Sequence, residues 1–194
     1  MLAHDLLWGP LDLPSDAPGW AFEAQSGGQP VVVRRAPAAP GHIAVGLRGP
    51  AREQRYGATM ALSAVTRRVV PESLRHLPVG DHWPVLRALA QLQPRLRDWN
   101  WGVVGSAGFE LASGVAALHA HSDLDLIVRT PRAITREQAR ELLIVLDDAE
   151  CRVDLQLQAP SGGVALREWA SGARRVLVKR QDCAVLVLDP WEEK

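Results

Sequence analysis

The residues best suited to chemistry in this chain are three carboxylates on two predicted strands. Asp123 and Asp125 are separated by one residue, and Asp154 lies further along the chain. Side chains alternate between the two faces of a strand, so Asp123 and Asp125 share one face while Leu124 and Leu126 enter a core. Such a pair suits Mg²⁺ or Mn²⁺, which keep water ligands and bind phosphate at their open positions. If the two strands pair, Asp154 joins the same site.

A Gly-Ser pair precedes these acids, between a predicted buried strand and a predicted helix. Gly105 allows a close backbone approach, and Ser106 offers a hydroxyl. The N-terminus of the helix offers free N–H groups to an anion. A simple capping role for Ser106 is compatible with phosphate binding. The sequence therefore predicts a phosphate site one strand away from the carboxylates.

The composition narrows the function classes. The chain has 194 residues, of which 47% are hydrophobic, and its 22 basic and 22 acidic residues give a net charge of zero. These values are typical of a globular protein rather than a disordered one. The sequence has no basic stripe with interleaved aromatic residues, which argues against nucleic-acid binding. It also has no apolar run long enough to span a membrane. Cys151 and Cys183 lack metal-site spacing, so we expect buried free thiols in a reducing compartment and a cytoplasmic protein.

The elements that must position the candidate residues fall into two groups. Residues 1–80 are rich in proline and are expected to form strands over 31–35 and 43–47, turns, and a helix over 51–60. Residues 81–194 alternate between helices and strands. The predicted helices of this part cover 82–93, 109–112, 136–149 and 164–170, and the strands cover 101–105, 124–129, 152–157, 176–179 and 184–188. The predicted class is α+β, with a small β-rich domain over 1–80 that binds substrate or phosphate and a mixed-sheet α/β domain over 81–194.

The Gly-Ser turn, the short helix, the Asp-x-Asp pair and the later single Asp resemble the nucleotidyltransferase superfamily of the polymerase-beta type. The interval between the turn and the Asp-x-Asp pair is longer here than in the commonest members. The longer pattern GSAGFELASG…LHAHSDLDLIVR resembles a narrower family, the phosphoribosyl-dephospho-CoA transferases that make the holo acyl carrier protein of malonate decarboxylase. Segments 4–8, 33–36 and 46–55 are similar to the opening segments of that family, so the resemblance covers nearly the whole chain.

The resemblance implies a nucleotidyltransferase-like catalytic domain and a definite reaction. Such an enzyme transfers the phosphoribosyl-dephospho-CoA group from triphosphoribosyl-dephospho-CoA to a serine of the apo acyl carrier protein subunit and releases pyrophosphate. By this resemblance Asp123 and Asp125 hold metal ions, Asp154 ligates a second metal or accepts the serine proton, and Gly105 and Ser106 hold the distal phosphates. Arginine forks suit phosphate, and the candidates from the first domain are Arg34, Arg35, Arg48, Arg52 and Arg55.

Two other functions stay open at the level of sequence. One is a different nucleotidyltransferase activity, such as adenylylation of a protein or a small molecule, because the acids specify triphosphate chemistry rather than the acceptor. The other is a non-catalytic triphosphate-binding module. An Asp-x-Asp pair alone is more often a solvated strand edge, and the arginines of 48–55 are equally compatible with a solvated helix face. Glu110 is more readily a surface carboxylate than a metal ligand, and His119 and His121 are loop or substrate-lining residues.

Overall fold

The computed structural model of the chain describes residues 1–51 and 53–192. The described residues form two β-sheets, six helices and one short 3-10 turn. None of these helices has the length and apolar character needed to cross a membrane. The predicted α+β class, with a β-rich first part and a mixed sheet in the second, is confirmed.

The first sheet is antiparallel throughout. Its strands are β1 (Leu6–Trp8), β2 (Val31–Val33), β3 (His42–Arg48), β4 (Arg55–Ala61) and β5 (Arg67–Val69). They lie in the order β4-β3-β2-β1-β5, and helix α1 (Gly19–Ser26) packs against one face. Leu7, Ala21, Val45 and Met60 are fully buried there and form a small separate core.

The second sheet is mixed. Its strands are β6 (Trp101–Val103), β7 (Leu124–Arg129), β8 (Val153–Ala159), β9 (Gly162–Ala165), β10 (Val176–Lys179) and β11 (Ala184–Val187). They lie in the order β11-β10-β9-β8-β7-β6, with β7 and β8 parallel and the other pairs antiparallel. The helices of this part are α2 (Pro71–Leu74), α3 (Pro84–Leu92), α4 (Gly105–Ser113), α5 (Arg136–Asp147) and α6 (Leu166–Ala170).

The second core forms on one face of this sheet. Apolar side chains of α3, α5 and α6 pack there against alternate residues of β7, β8 and β10. Helix α5 begins where the sequence predicts it, because Thr135 and Gln138 form a reciprocal capping box. On the opposite face, β7 and β8 carry the polar residues Asp125, Asp154, Gln156 and Gln158 beside the buried Ile127.

The predicted helix over 51–60 is wrong. Residues Arg55–Ala61 form β4, which pairs with β3 along its whole length, from Arg48 opposite Arg55 to His42 opposite Ala61. A long-range pairing partner overrides local helix propensity in this segment. The opposite error occurs at α1, in a stretch predicted to contain only strands and turns. Pro18 and Gly27 bracket this helix at its two caps instead of interrupting it.

Smaller differences affect the second part of the chain. The helix predicted over 164–170 begins only at Leu166, because Gly162–Ala165 pairs with β8 as strand β9. The helix predicted over 109–112 is longer and starts at Gly105. Cys151 is half-buried and Cys183 is exposed in the turn between β10 and β11, so the expectation of two buried thiols is wrong.

The segment between the two sheets packs against the second core. Leu74 is buried in that core, and Leu77 packs on it. Glu72 forms an ion pair with Arg129, with 2.7 Å between its Oε1 and the arginine Nε. This pair ties α2 to the end of β7. The predicted domain boundary near residue 80 stays a prediction.

Candidate active site

A cavity of about 650 Å³ lies between the two sheets and is lined by both. Eight of the ten residues predicted from sequence line it: Asp123, Asp125, Asp154, Gly105, Ser106, Arg34, Arg48 and Arg55. Its size is within the range of small-molecule sites in proteins. Arg35 does not line it, and Arg52 lies outside the described residues. The fold thus brings predicted phosphate-binding arginines and predicted metal ligands to one place.

The carboxylates stand on the polar face of the second sheet. Asp125 of β7 lies directly opposite Asp154 of β8 in the parallel pair. Their strand neighbours Leu124 and Val153 are buried on the other face, which fixes the direction of both acids. Asp123 immediately precedes β7 and lines the same cavity. Adjacent strands are about 4.8 Å apart, so these negative charges repel each other and favour a bound cation.

The donor set at this site fits Mg²⁺ or Mn²⁺ only in part. Within the described ranges, no group of three or more His, Cys, Asp or Glu side chains is arranged to hold a metal ion. Mg²⁺ is commonly bound by one or two carboxylates together with substrate phosphates and water. Asp125 with one neighbouring acid matches that pattern, and a triphosphate would supply the remaining oxygens. Asp154 also accepts two hydrogen bonds from Arg152, at 3.3 Å and 3.2 Å from its Oδ1.

Gly105 opens helix α4 in a conformation that requires glycine. Its φ is +62°, and a Cβ built on it would lie 2.0 Å from Oδ2 of Asp125. The backbone therefore touches the carboxylate directly. The next residue, Ser106, accepts a hydrogen bond of 2.8 Å from Nη1 of Arg48. The predicted phosphate turn and the carboxylates are thus in contact.

Arg48 joins the first sheet to α4 and to the loop that follows it. Besides Ser106, it donates a hydrogen bond of 3.0 Å to the carbonyl oxygen of Ala117. Its guanidinium lies 5.6 Å from the ring centroid of Phe109. Burial lowers the pKa of Arg48 and nearby Arg55 lowers it further, whereas acids beside it act in the opposite direction. These contacts give Arg48 a positioning role at the boundary between the sheets.

Glu110 holds the loop that leads to the Asp-x-Asp pair. Its Oε2 accepts hydrogen bonds from the backbone N–H groups of Ala117 and Leu118, at 2.7 Å and 2.8 Å. The carboxylate is therefore engaged with the backbone of this loop and is not a freely solvated surface group. His119 lines the cavity, and its Nδ1 accepts a hydrogen bond of 3.1 Å from the backbone N–H of His121.

The side chain of Arg34 packs over two glycines of β3 and β4. Gly46 and Gly57 face each other across β3 and β4. A Cβ built on Gly57 would lie 2.2 Å from Nη1 of Arg34, and one on Gly46 would lie 3.1 Å from its Cδ. Among the residues described, the Arg34 guanidinium has no hydrogen-bond or ion-pair partner. Glycine within a strand often marks a close approach, and Gly57 was missed because its segment was predicted to be a helix.

Arg35 joins the two domains instead of pointing into the cavity. Its Nη2 donates a hydrogen bond of 2.5 Å to Oε1 of Gln158, on the polar face of β8. Its Nη1 lies 3.2 Å from Nε2 of His4. His4 lines the cavity and was not predicted as a site residue, although its φ of +74° is unusual for a residue other than glycine.

The His4 ring is held in its neutral form. Burial is the main cause and the positive charge of Arg35 adds to it, and together they lower the pKa of His4 from 6.5 to about 4. As the pH falls below 6.5, His4 becomes protonated in the unfolded chain, whereas in the folded chain it becomes protonated only near pH 4. We therefore expect the free energy of unfolding to fall by up to about 3 kcal/mol through this window as the pH is lowered.

Urea unfolding of the wild type and of His4→Asn between pH 7 and pH 4 measures this effect. Asparagine does not titrate and tolerates a positive φ. The variant is expected to lose less stability than the wild type over this window. Equal pH slopes in the two proteins would show that His4 is not the titrating group.

Comparisons with known proteins cover nearly the whole chain. Residues 2–71 match the family model described as the N-terminal domain of phosphoribosyl-dephospho-CoA transferase MdcG, and residues 73–190 match the model of its C-terminal domain. A phosphoribosyl-dephospho-CoA transferase from Pseudomonas fluorescens is 61% identical, over 98% of this chain and 93% of the relative. Enzymes of the same name from Pseudomonas putida and Azotobacter vinelandii are 55% and 54% identical, over 97% and 98% of this chain and 94% of each relative. No solved structure matches.

Proposed function

Because this chain belongs to the phosphoribosyl-dephospho-CoA transferase family, we propose that it transfers the phosphoribosyl-dephospho-CoA group to the apo acyl carrier protein subunit of malonate decarboxylase. The chain is a transferase. The proposal adds the donor, triphosphoribosyl-dephospho-CoA, the acceptor, a serine of the carrier, and the release of pyrophosphate. We also propose that the protein is located in the cytoplasm, as expected from its free cysteines.

The observation that carries this proposal is the sharing of one cavity by opposite charges. Asp123, Asp125 and Asp154 line it from the second sheet, and Arg34, Arg48 and Arg55 line it from the first. A triphosphate carries several negative charges, which basic groups and a cation must neutralise together. A cavity with acids on one wall and arginines on the other suits a metal-bound triphosphate better than a neutral ligand.

The reaction that fits this cavity is an in-line displacement at the α-phosphorus. The serine oxygen forms a new ester bond to that phosphorus, while the bond from the phosphorus to the bridging oxygen breaks. Pyrophosphate leaves with that oxygen, and the serine proton passes to a base. A bound Mg²⁺ or Mn²⁺ would neutralise charge on the triphosphate oxygens and make the phosphorus more electrophilic.

The residues of this chain have distinct tasks in that step. Asp125 and Asp123 would hold the metal ion. Asp154 would either join them or accept the serine proton, and its ion pair with Arg152 keeps a positive charge beside it. The turn at Gly105 and Ser106 would place the free N–H groups of α4 near the distal phosphates.

Arg34 would contact the triphosphate from the other wall, and a substitution beside it tests this role. In Gly57→Ala the new Cβ would occupy the place of Nη1 of Arg34, so the flexible guanidinium must move while the strand stays intact. We expect kcat/KM for the triphosphate donor to fall by about 10- to 100-fold, the equivalent of one charged hydrogen bond. Gly19→Ala, with open space around it, is the matched control. Unchanged donor kinetics in Gly57→Ala would remove Arg34 from the proposal.

Release of pyrophosphate with different donors tests the proposed activity. The enzyme, the apo carrier and Mg²⁺ are incubated with either triphosphoribosyl-dephospho-CoA or ATP as the sole donor. The proposal predicts release with the first donor, dependent on the carrier and abolished when EDTA removes the metal. Release with ATP alone would instead indicate adenylylation, and release with neither would indicate a non-catalytic module.

A further inference from the structure

The polar face of the second sheet continues beyond the cavity onto β10 and β11. Val176 and Val178 of β10 pack into the core, so the alternate residues Leu177 and Lys179 point to the face that carries Asp154. Leu186 of β11 lies directly opposite Leu177. The hairpin β10–β11 therefore presents side chains on the same side of the sheet as the proposed catalytic acids.

The hairpin β10–β11 and the residue that follows it carry three exposed leucines. Leu177, Leu186 and Leu188 are 38%, 60% and 51% exposed, and they account for three of the eight large exposed hydrophobic side chains among the described residues. We call these three leucines the hairpin patch. The first domain covers the neighbouring part of the face, where Arg35 contacts Gln158, and it also contacts the hairpin turn, where Gln181 donates a hydrogen bond to the carbonyl oxygen of Ala36. Exposed apolar patches of this kind often mark interaction sites.

Three basic residues lie beside the hairpin patch. Lys179 lies on the same face, and Arg174 and Arg175 immediately precede β10, all three of them exposed. Within the described part of the chain none of the three forms an ion pair. Three acids are also nearby: Glu168 accepts a hydrogen bond of 2.8 Å from the backbone N–H of Leu177, Asp189 accepts one of 2.8 Å from that of Trp191, and Asp182 is exposed in the turn between β10 and β11. The patch thus combines an apolar centre with basic side chains along β10 and immediately before it.

We propose that the hairpin patch docks the acceptor protein through a surface on that protein with an apolar centre and acidic rim. This inference rests on the proposed function, because the acceptor serine must reach the α-phosphorus at Asp125 and Asp154. A partner bound to the hairpin lies on the face of the sheet where those acids stand. Transient interfaces usually have an apolar centre and a polar or charged rim. Basic residues around the hairpin patch therefore favour a partner with acidic residues at the matching positions.

Direct binding of the apo acyl carrier protein subunit tests this proposal without requiring catalysis. Titration calorimetry compares the wild type with Leu177→Ser/Leu186→Ser and with the charge reversal Arg175→Glu/Lys179→Glu. Both variants are expected to raise the Kd of the carrier at least about tenfold, and the charge reversal more at low salt than at high salt. Ile144→Ser is the matched control, because Ile144 is 70% exposed on α5, which covers the opposite face of the sheet.

The outcomes separate this proposal from the proposed function. Stabilisation by triphosphoribosyl-dephospho-CoA and Mg²⁺, measured as a rise in Tm, should be the same in the wild type, Leu177→Ser/Leu186→Ser and Ile144→Ser, since none of these residues lines the cavity. An unchanged carrier Kd in both variants would overturn the docking proposal, as would a wild type that does not bind the carrier. A changed monomer–dimer equilibrium with unchanged carrier binding would assign the patch to self-association. Carrier binding at the patch without any transfer would contradict the proposed function alone.

Discussion

An Asp125→Asn variant is expected to transfer at least about 10³-fold more slowly than the wild type while remaining folded. The amide keeps the shape of the carboxylate but loses the negative charge that holds a cation, and such a loss corresponds to about 4 kcal/mol of transition-state stabilisation. Asp125 faces Asp154 across β7 and β8 and touches the backbone at Gly105. Removal of this charge relieves repulsion with Asp154 but also weakens attraction to Arg48, so we expect only a small change in the free energy of unfolding.

Single-turnover transfer and urea unfolding measure the two halves of this prediction. Asp147→Asn is the matched control, because Asp147 is an exposed acid on α5 whose contact is an ion pair with Arg167. The control should transfer at the wild-type rate. A transfer rate for Asp125→Asn within tenfold of the wild-type rate would exclude Asp125 from a role in catalysis. A large loss of stability would attribute the slow transfer to unfolding instead of to the lost carboxylate.

A Gly105→Ala variant is expected to lose both stability and activity. A side chain at φ +62° costs about 1–2 kcal/mol of backbone strain. The added Cβ would also lie 2.0 Å from Oδ2 of Asp125, so the carboxylate must leave its position. We expect transfer to fall at least about 100-fold, because a ligand displaced by an ångström no longer holds the triphosphate in line.

Gly114 at the other end of α4 provides the control that separates the two effects. Its φ is +73°, and a Cβ built on it would meet nothing within 4 Å. Gly114→Ala therefore carries a similar backbone strain without touching an acid. We expect the two variants to be destabilised by similar amounts and only Gly105→Ala to be slow. Equal activities in the two variants would show that contact between Gly105 and Asp125 is irrelevant to transfer.

The part of the fold set by local patterns could be predicted from sequence. Strand β7 has the predicted bounds, Leu124–Arg129, because its apolar residues are bracketed by turn signals. Helix α5 was found through its capping box at Thr135. The carboxylates required only one further assumption, that the strands carrying Asp125 and Asp154 pair, and these residues are direct neighbours.

The first wall of the cavity could not be predicted in the same way. It depends on the pairing of β3 with β4, which brings Gly46 and Gly57 together under Arg34. The residues of 55–61 do not themselves indicate that pairing, so their sequence predicts a helix instead. Arg35 follows Arg34 in sequence, yet it bonds to Gln158 of the second domain. Only the contact between the sheets decides which of two adjacent arginines reaches the cavity.

The most direct test of this account is the intact mass of the apo acyl carrier protein subunit of malonate decarboxylase after incubation with the enzyme, triphosphoribosyl-dephospho-CoA and Mg²⁺. The wild type and Gly114→Ala should each add the mass of one phosphoribosyl-dephospho-CoA group to a serine of the carrier. Asp125→Asn should add none in the same time. A carrier that gains no mass with the wild type, or the same mass at the same rate with Asp125→Asn, would contradict this account.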